Sequence, residues 1–148
     1  MQRYFDIAYK EAVKAYKKNE IPVGAVIIKN NKIISKAYNN RQRTHNLIGH
    51  AEILAILKAE KKLKDWRLDD CEMYVTLEPC EMCSLFIKES RIKKIEYLVS
   101  RKDKTTQTND CLETGTKYES LLKNFFKKLR NWIWLWYNEY RKGCKYEL

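Results

Sequence analysis

Two short motifs hold the residues best suited to chemistry. Cys80 and Cys83 form a C-x-x-C pair directly after Pro79, and His50 stands two residues before Glu52 in "GHAEI". Two thiols at that spacing can direct both sulfurs at one point about 2.3 Å away, the zinc–sulfur distance. Taken alone the pair is also compatible with a redox dithiol or with plain packing. His50 alone is compatible with a helix cap, and Glu52 with an ordinary first-turn acid favoured by the helix dipole. Jointly they point to zinc. An imidazole and two thiolates give three protein ligands, and a catalytic zinc site leaves its fourth position to water. A nearby carboxylate that is not a ligand can then move protons, and Glu52 fits that role. The competing reading is a structural zinc, with Cys71, Cys111 or His45 as fourth ligand.

The elements that must hold these residues follow from periodicity. A first amphipathic helix is expected from about Arg3 to Lys18, with Phe5, Ala8, Ala12, Ala15 and Tyr16 on one face. Two β-branched runs around Asn30-Asn31 predict a hairpin over residues 21–38. A polar loop (39–49), a helix (50–64), a strand (72–77), a helix (80–90), a strand (93–99) and a long terminal helix (117–142) complete the chain. Strands alternating with helices imply crossovers and a partly parallel sheet covered on its faces. Ligands in such sheets bind beyond the carboxyl ends of the strands, where His50 and Cys80 each open a helix. A thiol at a helix start also faces the positive end of the dipole, which favours its thiolate.

With 148 residues, 45% hydrophobic, the chain can bury one real core, so a single domain over residues 1–148 is expected. No apolar run reaches membrane-spanning length and the N-terminus lacks a signal-peptide pattern, which makes the cytoplasm the expected location. Five cysteines, an odd number, argue against a disulfide framework. The net charge is +11, and from Lys88 onward 15 Lys/Arg stand against 8 Asp/Glu. A nucleic-acid partner suits that surplus; a merely solvated lysine-rich surface is the alternative.

The pattern H-x-E followed by P-C-x-x-C is the signature of zinc-dependent nucleobase deaminases. With "EIPVGAVII" (20–28), "GHAEILAI" (49–56), "YVTLEPCEMC" (74–83) and "SRIKKI" (90–95), residues 2–104 resemble the tRNA adenosine deaminase branch of the cytidine and deoxycytidylate deaminases. The resemblance implies a three-layer α/β/α fold with a central mixed sheet, and one Zn2+ per subunit held by His50, Cys80 and Cys83. It further implies Glu52 as catalytic proton shuttle, Asn39 as a substrate-binding amide, and a homodimer. The implied activity is hydrolysis of adenosine to inosine at the wobble position of a tRNA anticodon stem-loop. Deamination of a free guanine, cytosine or deoxycytidylate, or an inactive RNA-binding homologue, are the alternatives. Arg91, Lys93, Lys94, Arg101, Lys102 and Lys104 are candidate phosphate contacts.

The chain departs from the family at "SLF" (84–86), at Ile48-Gly49, and in "SRKDKTTQTNDCLETGTK" (100–117), which is short where the family carries a fifth strand. The Trp132, Trp136 and Tyr140 stripe of the terminal helix, with Ile133 and Tyr137 beside it, is expected to pack on the protein; stacking on RNA is the other reading.

Overall fold

The computed structural model describes residues 1–101 and 112–143, and of residues 112 and 132–143 only the backbone. The elements run α1 (Gln2–Lys17), β1 (Gly24–Lys29), β2 (Lys32–Tyr38), α2 (Ala51–Leu63), β3 (Cys71–Leu77), α3 (Glu81–Glu89), β4 (Lys94–Val99) and α4 (Leu112–Gly143). The sheet order is β2-β1-β3-β4. β1 is antiparallel to both neighbours, whereas β3 and β4 are parallel and joined by α3 as their crossover. α1 and α4 cover one face, α2 and α3 the other, giving the expected three layers.

Local chemistry explains the frame. Asn30 and Asn31 both take left-handed backbone (φ 50° and 60°), the primed-turn geometry that matches strand twist and that asparagine tolerates. "GAVII" lies in the sheet interior with both faces covered, so it reads as an unbroken apolar run rather than an alternation. Phe5, Ala8, Ala12 and Ala15 form the buried stripe of α1, with Phe5 edge-on to Tyr74 of β3 at 5.4 Å.

α4 begins five residues before the expected start. Its first turns, "LETGT", are poor helix formers and read as loop. Contacts distant in sequence hold them: Thr114 Oγ1 donates to Asp6 Oδ1 (2.6 Å) and accepts from Gln2 Nε2 (2.6 Å), and Tyr118, Leu122 and Phe125 are buried at helical spacing. The tail residues Trp132, Trp136 and Tyr140 lie on the backbone of α4, but their side chains fall outside the described residues, as do Cys111 and Cys144. Among the described residues no helix is long and apolar enough to cross a membrane.

The topology brings one edge of the sheet together. β3 and β4 end there, β1 begins there, and β2 returns there. Gly24 opens β1 against α1 so closely that a Cβ would lie 2.0 Å from the Ala8 carbonyl oxygen and 2.7 Å from the Ala12 nitrogen. Both obstacles are backbone and cannot swing aside. Gly24→Ala is expected to destabilise the fold by on the order of 3 kcal/mol, the upper end for overpacking. Urea titration checks this, and an unchanged midpoint would contradict the close packing.

Candidate active site

Five segments supply the pocket at that edge: the approach to β1, the loop after β2, the start of α2, the end of β3 and the residues after β4. Ile21, Val23 and Leu77 form apolar wall, and Asn39, Arg41, His50, Glu52 and Arg101 present polar groups. His50 is the N-cap of α2 and Cys80 the N-cap of α3. Both have extended backbone (ψ 143° and 169°), and neither uses its side chain to cap its helix. Each side chain is thereby free to leave its helix axis and meet the other. Cys83 lies on the first turn of α3 and is fully buried.

His50 Nδ1 stands 3.4 Å from Cys83 Sγ and 3.8 Å from Cys80 Sγ. Zinc at its usual bond lengths and a tetrahedral angle places nitrogen and sulfur ligands about 3.6 Å apart. The three donor atoms lie within 4.8 Å of one another, so the residues fit the metal. Burial, then the positive charges of Arg41 and Arg101, hold the His50 pKa below its ordinary value, which keeps a ring lone pair available. Burial pushes the Cys83 thiol well up, and the neighbouring Glu52 and Cys80 add to this. The helix-dipole argument for a thiolate is overridden here by desolvation. A divalent cation is the partner that would make two thiolates tolerable at that spot.

Cys71 lies at the far end of β3 and His45 is exposed on a loop, so neither joins the cluster; Cys111 lies outside the described residues. Among the described residues the group has three ligands, and one of them, His50, lines a pocket, which fits the open form of zinc site. Glu52 is 3% exposed and lies beside the Cys83 thiol without joining the ligand group. Burial raises its pKa, opposed by its own backbone N–H, by Arg101 and by the Cys83 hydrogen bond. A carboxyl group with a raised pKa next to a metal site can both take and give a proton.

Asn39 is 7% exposed in the pocket wall. Its Nδ2 donates to the Ile21 carbonyl oxygen (3.2 Å) and its Oδ1 accepts from the Arg41 N–H (3.3 Å). Those partners fix which way the amide points, and leave one N–H and one lone-pair direction for a ligand.

The model for the cytidine and deoxycytidylate deaminase zinc-binding region matches residues 1–99. The chain belongs to that deaminase family. Deaminase relatives extend the likeness over most of the chain. It is 40% identical over 143 residues to a tRNA-specific adenosine deaminase of Aquifex aeolicus, covering 86% of this chain and 95% of the relative. A tRNA-specific adenosine deaminase of Rickettsia bellii is 41% identical over 142 residues, covering 84% and 98%. A structure solved in work on A-to-I editing by tRNA:A34 deaminases superposes with a TM-score of 0.65 at 34% identity, over 66% of this chain and 75% of that one. The guanine deaminase of Bacillus subtilis gives 0.66 at 35% identity, over 68% and 65%.

The structure divides the candidate phosphate contacts. Arg91, Lys93 and Lys94 lie at the opposite edge of the sheet from the deaminase pocket, about 20 Å away by strand rise. There Arg91 covers the Trp66 ring (5.3 Å) and Lys94 pairs with Glu96 (2.8 Å). Arg101 lies at the pocket; Lys102 and Lys104 fall outside the described residues. Three pocket-shaping residues escaped the sequence reading. Glu20 is buried and accepts the backbone N–H groups of Gln42 (3.2 Å) and Arg43 (2.6 Å). Glu78 accepts the Arg101 N–H (2.8 Å) and the Ser100 hydroxyl (3.1 Å). Arg41 occupies the pocket rim. The only sequence signal was the place of both glutamates inside the family-like stretches "EIPVGAVII" and "LEPC".

His50→Ala and Cys83→Ala are each expected to lower zinc from one per chain to a small fraction, measured by elemental analysis of purified protein. Full occupancy in both variants would contradict the ligand assignment.

Proposed function

We propose that this chain is a tRNA-specific adenosine deaminase that converts adenosine to inosine at the wobble position of an anticodon, working in the cytoplasm as a homodimer. The observation that carries the reading is the meeting of His50 with Cys80 and Cys83 where His50 and the buried Glu52 line one pocket. Near-full-length similarity to tRNA-specific adenosine deaminases supports the substrate.

The reaction adds water to adenine and releases ammonia. His50, Cys80 and Cys83 would hold a zinc ion, which would supply an activated water. Glu52 would carry two protons in turn, the first from the attacking water to the ring nitrogen and the second from the hydroxyl of the addition product to the departing amine, so that ammonia leaves as the carbonyl forms. Its burial favours the protonated form that this cycle must visit repeatedly. Asn39 offers its free N–H and lone pair to the edge of the base, and Ile21, Val23 and Leu77 exclude water around it. The net charge of +11 suits a polyanionic substrate. Exposed apolar side chains on the outer helices, Leu57 (42%), Leu85 (62%) and Phe86 (38%), support a second copy as partner.

Glu52→Gln is expected to lower turnover of a wobble-adenosine stem-loop by roughly 10²–10⁴-fold while zinc content stays at one per chain. Inosine release measured from the stem-loop, guanine and free nucleosides in parallel checks the substrate; turnover confined to the small molecules would overturn the tRNA reading. Light scattering is expected to give twice the 17.8 kDa chain mass, with L85E/F86E shifting it to the single-chain value. A monomeric wild-type protein at micromolar concentration would contradict the dimer.

A further inference from the structure

We infer that Glu78 is a positioning residue for the zinc centre: it splices the turn that carries Cys80 to the end of β4 and so fixes where the Cys80 sulfur stands. The inference rests on the assignment of His50, Cys80 and Cys83 as zinc ligands and is independent of which base is deaminated.

Glu78, Pro79 and Cys80 alone join β3 to α3. The two sulfur ligands are held in different ways. Cys83 lies on the first turn of α3, is fully buried, and inherits its place from the helix. Cys80 precedes the helix, is partly exposed, and makes no capping hydrogen bond with its side chain. Pro79 has no N–H with which to tie the turn down. The hydrogen bonds that bind the turn to the sheet come from Glu78. Its N–H donates to the Val99 carbonyl oxygen (2.9 Å), which carries the parallel pairing of β3 with β4 one step further. Its carboxylate oxygen Oε2 accepts from the Ser100 hydroxyl (3.1 Å) and from the Arg101 backbone N–H (2.8 Å). Its carbonyl oxygen accepts from Arg101 Nε–H (3.1 Å).

Backbone and side chain of Glu78 are thus both engaged, so the residue can neither slide along β4 nor turn about the chain axis. Ser100 is buried, and the splice closes at the end of the strand rather than on an open loop. The Cys80 sulfur meets His50 Nδ1 at 3.8 Å from a start two residues beyond Glu78, and proline locks φ of the residue between. A shift of Glu78 passes directly to the sulfur. The carboxylate acts here through reach and not through charge. Both donors to Oε2 are neutral, a hydroxyl and a backbone N–H, and a Gln side chain carries an acceptor oxygen at the same reach. An Asp side chain keeps the charge but withdraws the oxygen by one methylene. Groups that orient a metal ligand without touching the metal are typically worth about 10- to 100-fold in metal affinity.

The test titrates the zinc-loaded full chain with a competing chelator, which reads zinc affinity, and records the visible absorption of the cobalt-substituted protein, which reports ligand geometry. Glu78→Asp is expected to weaken zinc roughly 10- to 100-fold and to alter the cobalt spectrum, while Glu78→Gln stays close to wild type in both. Ser100→Ala, which removes one of the two donors to the same oxygen, is expected to weaken zinc in the same direction by a smaller factor. Zinc affinity and cobalt spectrum unchanged in Glu78→Asp and in Ser100→Ala overturn the inference, and a lowered urea midpoint alone would reduce Glu78 to a plain structural tie. Glu78→Gln as weak for zinc as Glu78→Asp overturns it too, because charge would then be what holds the metal. Wild-type protein that takes up no zinc sinks the ligand assignment together with the inference; tight zinc in wild type and in Glu78→Asp alike sinks the inference alone.

Discussion

The meeting of one ring nitrogen with two sulfurs, across the starts of two different helices, is the constraint on which the rest of the structure depends. His50 and Cys80 occupy N-cap positions, where a Ser, Thr, Asp or Asn side chain would ordinarily satisfy a helix N–H. Giving up that capping costs about 1 kcal/mol per helix. In return both side chains leave their helix axes at an edge of the sheet and point into common space. Two sulfurs, 3.4 and 3.8 Å from His50 Nδ1, then define a metal position at the starts of two helices. Ligands carried by rigid elements hold geometry better than ligands on flexible loops.

That convergence is a property of the sheet. α2 follows a strand antiparallel to β1, and α3 links two parallel strands, yet both helices start at the same edge because β1 reverses direction between β2 and β3. The close approach of Gly24 to α1, and the Thr76 hydroxyl that accepts the Gly24 N–H at 3.1 Å, fix β1 against its neighbours there. An edge with that many tertiary constraints supports a buried thiol and a buried carboxyl group, each costly to desolvate.

Three glutamates around the pocket divide the labour by what they touch. Glu20 and Glu78 accept hydrogen bonds from loop backbone and so shape the rim that carries Arg41 and Arg101. Glu52 is enclosed beside Cys83, and its protonation is set mainly by desolvation. One side-chain type thus builds the wall at two positions and is held buried, with a raised pKa, beside the ligand group at a third. Environment, not residue identity, makes the difference.

Residue types and spacing by themselves determined the metal chemistry, the alternation of helices and strands, and the three-layer class, because ligand identity and hydrophobic period are local properties. The hairpin turn at Asn30-Asn31 was legible for the same reason: its backbone preference lies in the residues themselves. The early start of α4 was not, since Thr114 is held by Gln2 and Asp6 of α1, more than a hundred residues away, and Tyr118 is fully buried, against weak local propensity. Nor could spacing tell Arg101 at the pocket from Arg91 stacked on Trp66, although ten residues separate them in one basic segment. β4 runs between the two and carries them to opposite edges of the sheet. Which charges face the site, and which glutamates hold them there, was decided only by strand order and direction, because those fix distances that sequence separation does not encode.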